Sequence, residues 1–304
     1  MTEPDGRPRL LLVGGGGGLA GRAVLAEFRR DWTIRSLHRH PVAAEEGPGI
    51  EWWSGDASSV RNWTPVLAEV DLVINLAWYR HGPPRVFRPL AEGLVRLIRA
   101  SEEAGVSRWL QVSVPDAPSS MEAELPYLTN KRAVDRALSQ SSLSYAIVRP
   151  TMLFGPRDKL LTVMLRTIAR YHRFPMFGDG EYHVSPIAAT DLGRILRREA
   201  TRRERGTVDA GGPTRWRYRD LTDRLFTALG RPPRYLRFSP RGALRLARLL
   251  EALGSTLLYA YEVEWLLSDR LGLPAYVGLS EPLTPVGPFL NAEAQRYARK
   301  AARH

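Results

Sequence analysis

"LLLVGGGGGLAGRAVLAEF", residues 10–28, sets five consecutive glycines between an apolar run and an amphipathic one. Glycine is costly inside a strand or a helix, so five together need a local reason. Their position supplies it. "RLLLVG" (9–14) reads as a buried strand and "AGRAVLAEFRR" (20–30) as a helix, so the glycines form the turn between them. A helix start offers unpaired N–H groups and partial positive charge, which suit a pyrophosphate, and side chains there would block its approach. Several spacings fit, including one through Gly14 and Gly16. The preferred one is Gly15-x-x-Gly18-x-x-Gly21, with Leu19 and Ala20 as the first helical residues and Gly21 where the helix crosses the sheet. A flexible linker is the competing reading, and the flanking periodicities argue against it.

The same alternation continues to Pro150. "TIRSLHR" (33–39), "IEWWSGD" (50–56), "DLVINLA" (71–77), "RWLQVSV" (108–114) and "SYAIVRP" (144–150) read as strands. "FRPLAEGLVRLIRASEEAG" (87–105) and "YLTNKRAVDRALSQS" (127–141) have helical spacing. Strands separated by helices imply an α/β, doubly wound parallel sheet, the Rossmann arrangement, which binds ligands at the carboxyl ends of its strands. The expected division is a dinucleotide-binding domain over 8–175 and a smaller, mostly helical lobe over 176–304 covering the cleft. Residues 239–272 read as strongly helical, and the proline-rich tail, 273–289, as extended.

The chain has 304 residues and no cysteine, which excludes disulfides and cysteine-ligated metals. The six histidines show no metal spacing, so no metal is expected. The net charge is +12, and all but three of the 44 basic residues are arginine. Acidic residues interrupt the arginines throughout, which indicates a solvated surface and no specific nucleic-acid site. The start carries no apolar leader and no stretch is long and uncharged enough to span a bilayer. A cytoplasmic protein is expected, with a peripheral membrane location as the variant.

About 20 residues beyond the glycines, dinucleotide-binding units usually carry an acidic residue for the ribose hydroxyls. Here that slot reads Leu37-His38-Arg39. A carboxylate would repel a 2′-phosphate and a guanidinium can pair with it, so NADP(H) is expected in preference to NAD(H). Asp56 is a candidate acceptor for the adenine amino group, with Ala57 flanking the ring; an Asx-turn is the alternative. Leu76 and Ala77 close the fourth strand beside the cofactor. Tyr127 and Lys131 stand at i and i+4 on one helix face. An ammonium stabilises a phenolate, so this tyrosine can pass a proton while hydride moves to or from a nicotinamide, and the lysine can hold the ribose.

"GGGGGLAG", "SGDAS", "DLVINLA", "EEAGVSRWLQVS", "YLTNK" and "YAIVRPTMLFGP" together resemble the extended and atypical short-chain dehydrogenase/reductases. The resemblance covers about residues 9–235 and is nearest to the branch that includes the Rossmann-type accessory subunit of respiratory complex I. It implies a tightly held cofactor and, in some members, no turnover. It also implies that Pro150, Met152 and Leu153 lie along the nicotinamide. The family's "VSS" strand end departs here to Val112-Ser113-Val114, so the place of the substrate-binding hydroxyl holds Val114. Ser113 is the candidate replacement if the register slips by one, although alternation points it to the other face.

Two functions follow. The leading one is an NADP(H)-dependent oxidoreductase acting on a small-molecule carbonyl, alcohol or activated double bond. The alternative is a non-catalytic NAD(P)(H)-binding structural, assembly or sensor protein that docks on a complex or membrane through 241–271, where arginines flank a leucine-rich face.

Overall fold

The computed structural model describes residues 6–15, 17–39, 49–79, 84–254 and 259–301. Gly16, His40, His81 and His304 lie outside them, as do residues 255–258 within the 241–271 stretch. In chain order the elements begin with β1 (Arg9–Val13), α1 (Leu19–Phe28), β2 (Thr33–His38), β3 (Ile50–Ser54), α2 (Thr64–Leu67) and β4 (Leu72–Asn75). They continue with α3 (Phe87–Glu103), β5 (Arg108–Val112), α4 (Ser119–Glu124), α5 (Pro126–Gln140) and β6 (Tyr145–Pro150). Then follow β7 (Leu153–Phe154), α6 (Leu160–Tyr171), β8 (Phe174–Phe177), β9 (His183–Val184), β10 (Ile187–Ala188), α7 (Ala189–Thr201) and β11 (Gly206–Ala210). The last are β12 (Trp216–Arg217), α8 (Tyr218–Ala228), β13 (Tyr235–Phe238), α9 (Pro240–Ala252), α10 (Ala260–Leu267) and α11 (Val286–Ala301).

The chain divides into two units, Met1–Pro150 with Thr190–Val208, and Thr151–Ala189 with Asp209–His304. This differs from a single cut near residue 175. The segment after Pro150 belongs to the second unit, and α7 with most of β11 returns to the first. Two contacts explain the return. An added Cβ on Gly193 of α7 would meet the Ala23 carbonyl of α1 at 3.0 Å, and β11 lies beside β6 at the sheet edge.

In the first unit the sheet runs β11-β6-β5-β4-β1-β2-β3. β1 pairs in parallel with β2 on one side and β4 on the other, for example Val13 with Leu37 and with Asn75. The chain thus grows outward through β2 and β3, then restarts on the opposite side of β1. A crevice opens at that reversal, at the carboxyl ends of the strands. Leu10, Leu11 and Leu12 are wholly buried, as a central parallel strand covered on both faces requires. One face packs Leu11, Val13, Val73 and Trp109 with Leu90, Leu94 and Leu97 of α3 and Val134 and Leu138 of α5.

The second unit is built from three two-stranded pairs, β7 with β10, β8 with β13 and β9 with β12. Its core holds Phe154, Leu161, Leu165, Leu221, Phe226 and Leu290. The tail read as extended becomes helical at Val286. Pro288 does not prevent this, because a first-turn residue has no intrahelical N–H bond to lose. Among the described residues no helix is long and apolar enough to cross a membrane.

Candidate functional site

A cleft of about 230 Å³ lies in the first unit at the reversal beside β1. Gly14, Gly15, Gly17 and Gly18 line it from the turn, and His38, Arg39, Asp56, Ala57, Ala77, Trp78 and Tyr79 from the following strand ends. α1 begins at Leu19, its cap residue Gly18 makes no side-chain cap bond, and its first turn carries no acidic residue. The first N–H groups of the helix therefore have no built-in anion. Gly14 sits at φ +73°, and an added Cβ would stand 2.5 Å from the Ala77 Cα; the turn and β4 approach too closely for a side chain. At Gly15 an added Cβ would collide with Leu12 at 2.2 Å, whereas at Gly18 nothing lies within 4 Å. The space beyond Gly18 is an open cradle at a bare helix N-terminus, and it fits a diphosphate.

The loops that complete the cleft are held by buried polar contacts. Asn75, at the end of β4, receives the Ala77 N–H at 3.0 Å and donates to Gln111 of β5 at 2.9 Å. Behind the β3 loop, α3 passes at Gly93, where an added Cβ would lie 1.9 Å from the Ala57 carbonyl oxygen. Asp56 forms the Asx-turn: its Oδ1 accepts from the Ser58 N–H at 2.9 Å and hydroxyl at 2.7 Å. Its Oδ2 accepts from the Tyr79 hydroxyl at 3.2 Å. Burial works to raise this carboxyl, but the bonds from Ser58 and Tyr79 and the charge of Arg39 hold it below its usual value. Burial and the Asp56 carboxylate push the Tyr79 hydroxyl up, so it stays a donor. The Arg39 guanidinium stands 4.8 Å from the centre of the Tyr79 ring, and His38 packs edge-on against Trp52.

Tyr127 and Lys131 of α5 both face Trp78. The indole meets the Tyr127 ring edge-on at 6.0 Å, and the Lys131 ammonium lies 4.5 Å over its face. Phe87 completes the group, stacked on Trp78 at 5.9 Å and edge-on to Tyr127 at 5.5 Å. Lys131 is buried, and that burial pulls its pKa down to about 8 against the opposing pull of Asp135. The Trp78 indole N–H is buried with no acceptor among the described residues, a donor in want of a partner beside the cleft.

Ser113 has a different environment. Its hydroxyl donates to Asp135 at 2.5 Å, and Asp135 pairs with Arg132 at 2.8 Å, all three buried. Arg132 also donates to the Val114 and Pro115 carbonyls. Ser113, the first residue past β5, thus points at α5. Leu76 donates its N–H to Val13 and joins β4 to β1 without lining the cleft. Gly21 is buried in α1, Leu19 and Ala20 are half-buried, and none of the three lines the cleft. Pro150 ends β6 in the first unit, while Met152 and Leu153 belong to the second. His183, also in the second unit, is paired with Asp269 at 3.0 Å beside Arg215.

Trp78, Tyr79, Asn75 and Gly93 were not singled out from the sequence. Trp78 and Tyr79 had a signal, an aromatic pair directly after the fourth strand. Asn75 and Gly93 had none, because their partners lie 36 residues ahead in one case and on the β3 loop in the other.

Residues 15–167 match the model of a family described as NAD(P)H-binding. NADH dehydrogenase [ubiquinone] 1 alpha subcomplex subunit 9, mitochondrial, of Arabidopsis thaliana is 26% identical over 183 residues, which cover 57% of this chain and 44% of that protein. The chain therefore spans less than half the length of that relative. The 2-alkyl-3-oxoalkanoate reductase of Stenotrophomonas maltophilia is 24% identical over 276 residues, covering 80% of this chain and 82% of that one. Among solved structures, the Bordetella bronchiseptica enzyme WbmH in complex with NAD+ superposes with a TM-score of 0.69 at 14% identity, covering 96% of this chain and 98% of the other. At that identity the shared property is the fold.

Proposed function

Because the chain belongs to the NAD(P)H-binding family, we propose that it is an NADP(H)-dependent oxidoreductase that moves a hydride between the coenzyme and a carbonyl, alcohol or activated double bond. The observation that carries this reading is the joining of two features in one unit: the bare-ended glycine cleft and the Tyr127–Lys131 face, both touching Trp78. The α1 N-terminus with Gly15 and Gly18 would hold the diphosphate, Arg39 the 2′-phosphate, and Lys131 the nicotinamide ribose. Bound there, the coenzyme supplies or accepts the hydride. Tyr127 gives or takes the balancing proton, and the Lys131 charge, enclosed by apolar rings, favours its phenolate. Trp78 and Phe87 pack against that pair. The wide coverage of a reductase relative supports a reductase over a purely structural role.

The test is turnover of purified protein with NADPH across a panel of 3-oxo acids, ketones and enones. Tyr127→Phe is expected to lower kcat by about 10²- to 10⁴-fold while coenzyme affinity stays near wild type. Full activity in that variant removes the tyrosine from the mechanism.

A second reading has its own support. The Ser113 hydroxyl is committed to Asp135, and Val114 offers no donor for a substrate oxygen. On α9 and at its C-terminal cap, Leu249 (58% exposed) and Leu253 (74% exposed) accompany exposed Arg245 and Arg248. In this reading the protein holds NADP(H) for structure or sensing and docks through 241–271. It predicts tight copurification of coenzyme and no oxidation of NADPH on the whole panel.

A further inference from the structure

We propose that Tyr79 is a specificity-determining positioning residue, whose ring parks the Arg39 guanidinium in the first-unit cleft so that the site prefers a dinucleotide carrying a 2′-phosphate. The inference rests on the NADP(H) reading above and extends it to a residue outside the strand-end motif. Arg39 follows β2 and Tyr79 follows β4, so strands on opposite sides of β1 bring them together. The ring centre lies 4.8 Å from the guanidinium carbon, within cation–π range. Among the described residues Arg39 makes no ion pair or hydrogen bond, which leaves its N–H groups for an anion.

A carboxylate in the same place would orient the arginine too. It would also neutralise it and repel the phosphate. An aromatic face orients the cation while leaving its hydrogen-bonding edge available, and the Asp56 carboxylate, which the Arg39 charge stabilises, makes no direct bond to it. The ring is itself secured. Its hydroxyl is bound to Asp56, Asp56 is pinned by Ser58, and the adjoining Ala57 carbonyl rests on α3 at Gly93. An arginine already held loses less rotamer freedom when the phosphate arrives, so the gain appears as affinity for that group alone.

The experiment is calorimetric titration of the full chain with adenosine 2′,5′-bisphosphate and with adenosine 5′-monophosphate, in wild type, Tyr79→Leu and Tyr79→Phe, each checked for a cooperative melting transition. In the leucine variant the preference for the bisphosphate is expected to fall roughly fivefold, with monophosphate affinity changed by less than about twofold. In the phenylalanine variant the ring remains, and the preference is expected to stay within about twofold of wild type. An equal loss for both ligands in the leucine variant, or an unchanged preference, overturns the role of Tyr79 while leaving NADP(H) binding intact. If the leucine variant does not fold, the phenylalanine variant decides, and collapse of its preference overturns the role of the ring. A wild-type protein that binds the two ligands equally removes the premise about Arg39, and this inference with it.

Discussion

The two ends of the first-unit site are built on opposite principles. At the glycine end the protein leaves groups unused: α1 starts without an acidic or capping side chain, Gly18 faces open space, and the Arg39 N–H groups have no protein partner among the described residues. At the α5 end nearly everything is occupied. Lys131 is buried on an indole, Tyr127 is flanked by two rings, and Ser113 is consumed by Asp135 and Arg132. On the proposed function, the contrast would separate binding from reaction. An anion site works by keeping donors free for the ligand, whereas an acid–base pair works by being taken out of water, and the second is harder to tell from ordinary core packing.

Substitutions that should tighten or destroy that contrast can be ranked. The largest effect is expected at the closed end. Asp135→Ala leaves the buried Arg132 with only the exposed Asp116 carboxylate at 3.6 Å and the Val114 and Pro115 carbonyls, and should cost about 3 kcal/mol in urea unfolding. A loss under about 1 kcal/mol would mean that the network is loosely held and that Ser113 is free to turn. At the open end, Gly18→Asp should do the reverse. The cap position accommodates it, so the melting temperature should hold or rise, while NADPH affinity falls by about 100-fold, or about 2.7 kcal/mol, as the carboxylate occupies the cradle. Unchanged affinity would place the diphosphate elsewhere.

Gly93→Ala probes the backing of the open end. Its methyl would press the Ala57 carbonyl, and a loss of about 1–3 kcal/mol is expected, together with weaker binding of the adenosine half. The smallest effect concerns pH. Burial lowers Lys131 from its unfolded value near 10.5 to about 8. Between those values the unfolded chain binds the extra proton, so the Lys131 contribution to stability rises with pH from about 8 toward 10.5 and is flat below 8. Lys131→Met should abolish that rise and be equal to or more stable than wild type at pH 7. A parallel pH profile in both proteins would show that the ammonium is not buried in solution.

Much of this architecture is visible in the linear chain. Every strand from β1 to β6 matches a short apolar run, and α1, α3 and α5 match helical spacing, because a buried parallel strand and a one-sided helix each impose their own period. Gly15, Gly18, His38, Arg39, Asp56 and Ala57 share the cleft because each lies at a strand end, and a parallel sheet collects its strand ends along one edge. Asp56 carried two readings from its local sequence, and the structure shows the Asx-turn. Other features had no local mark. β11 and α7 rejoin the first unit across an intervening segment, and Gly93 meets Ala57 only when α3 lies down on the sheet.

What the residues determined unaided is the order of strand, glycine turn and helix, together with a histidine where a carboxylate usually stands and an arginine directly after it. Those are properties of neighbouring positions, set by backbone freedom, side-chain period and charge. What only the folded chain decided is how these groups are employed: Trp78 over Lys131, Tyr79 under Arg39, and Ser113 turned toward Asp135. Each of these pairs joins positions at least 22 residues apart, the separation of Ser113 from Asp135. Such contacts are chosen by close packing between separate elements, and no local period or propensity encodes them.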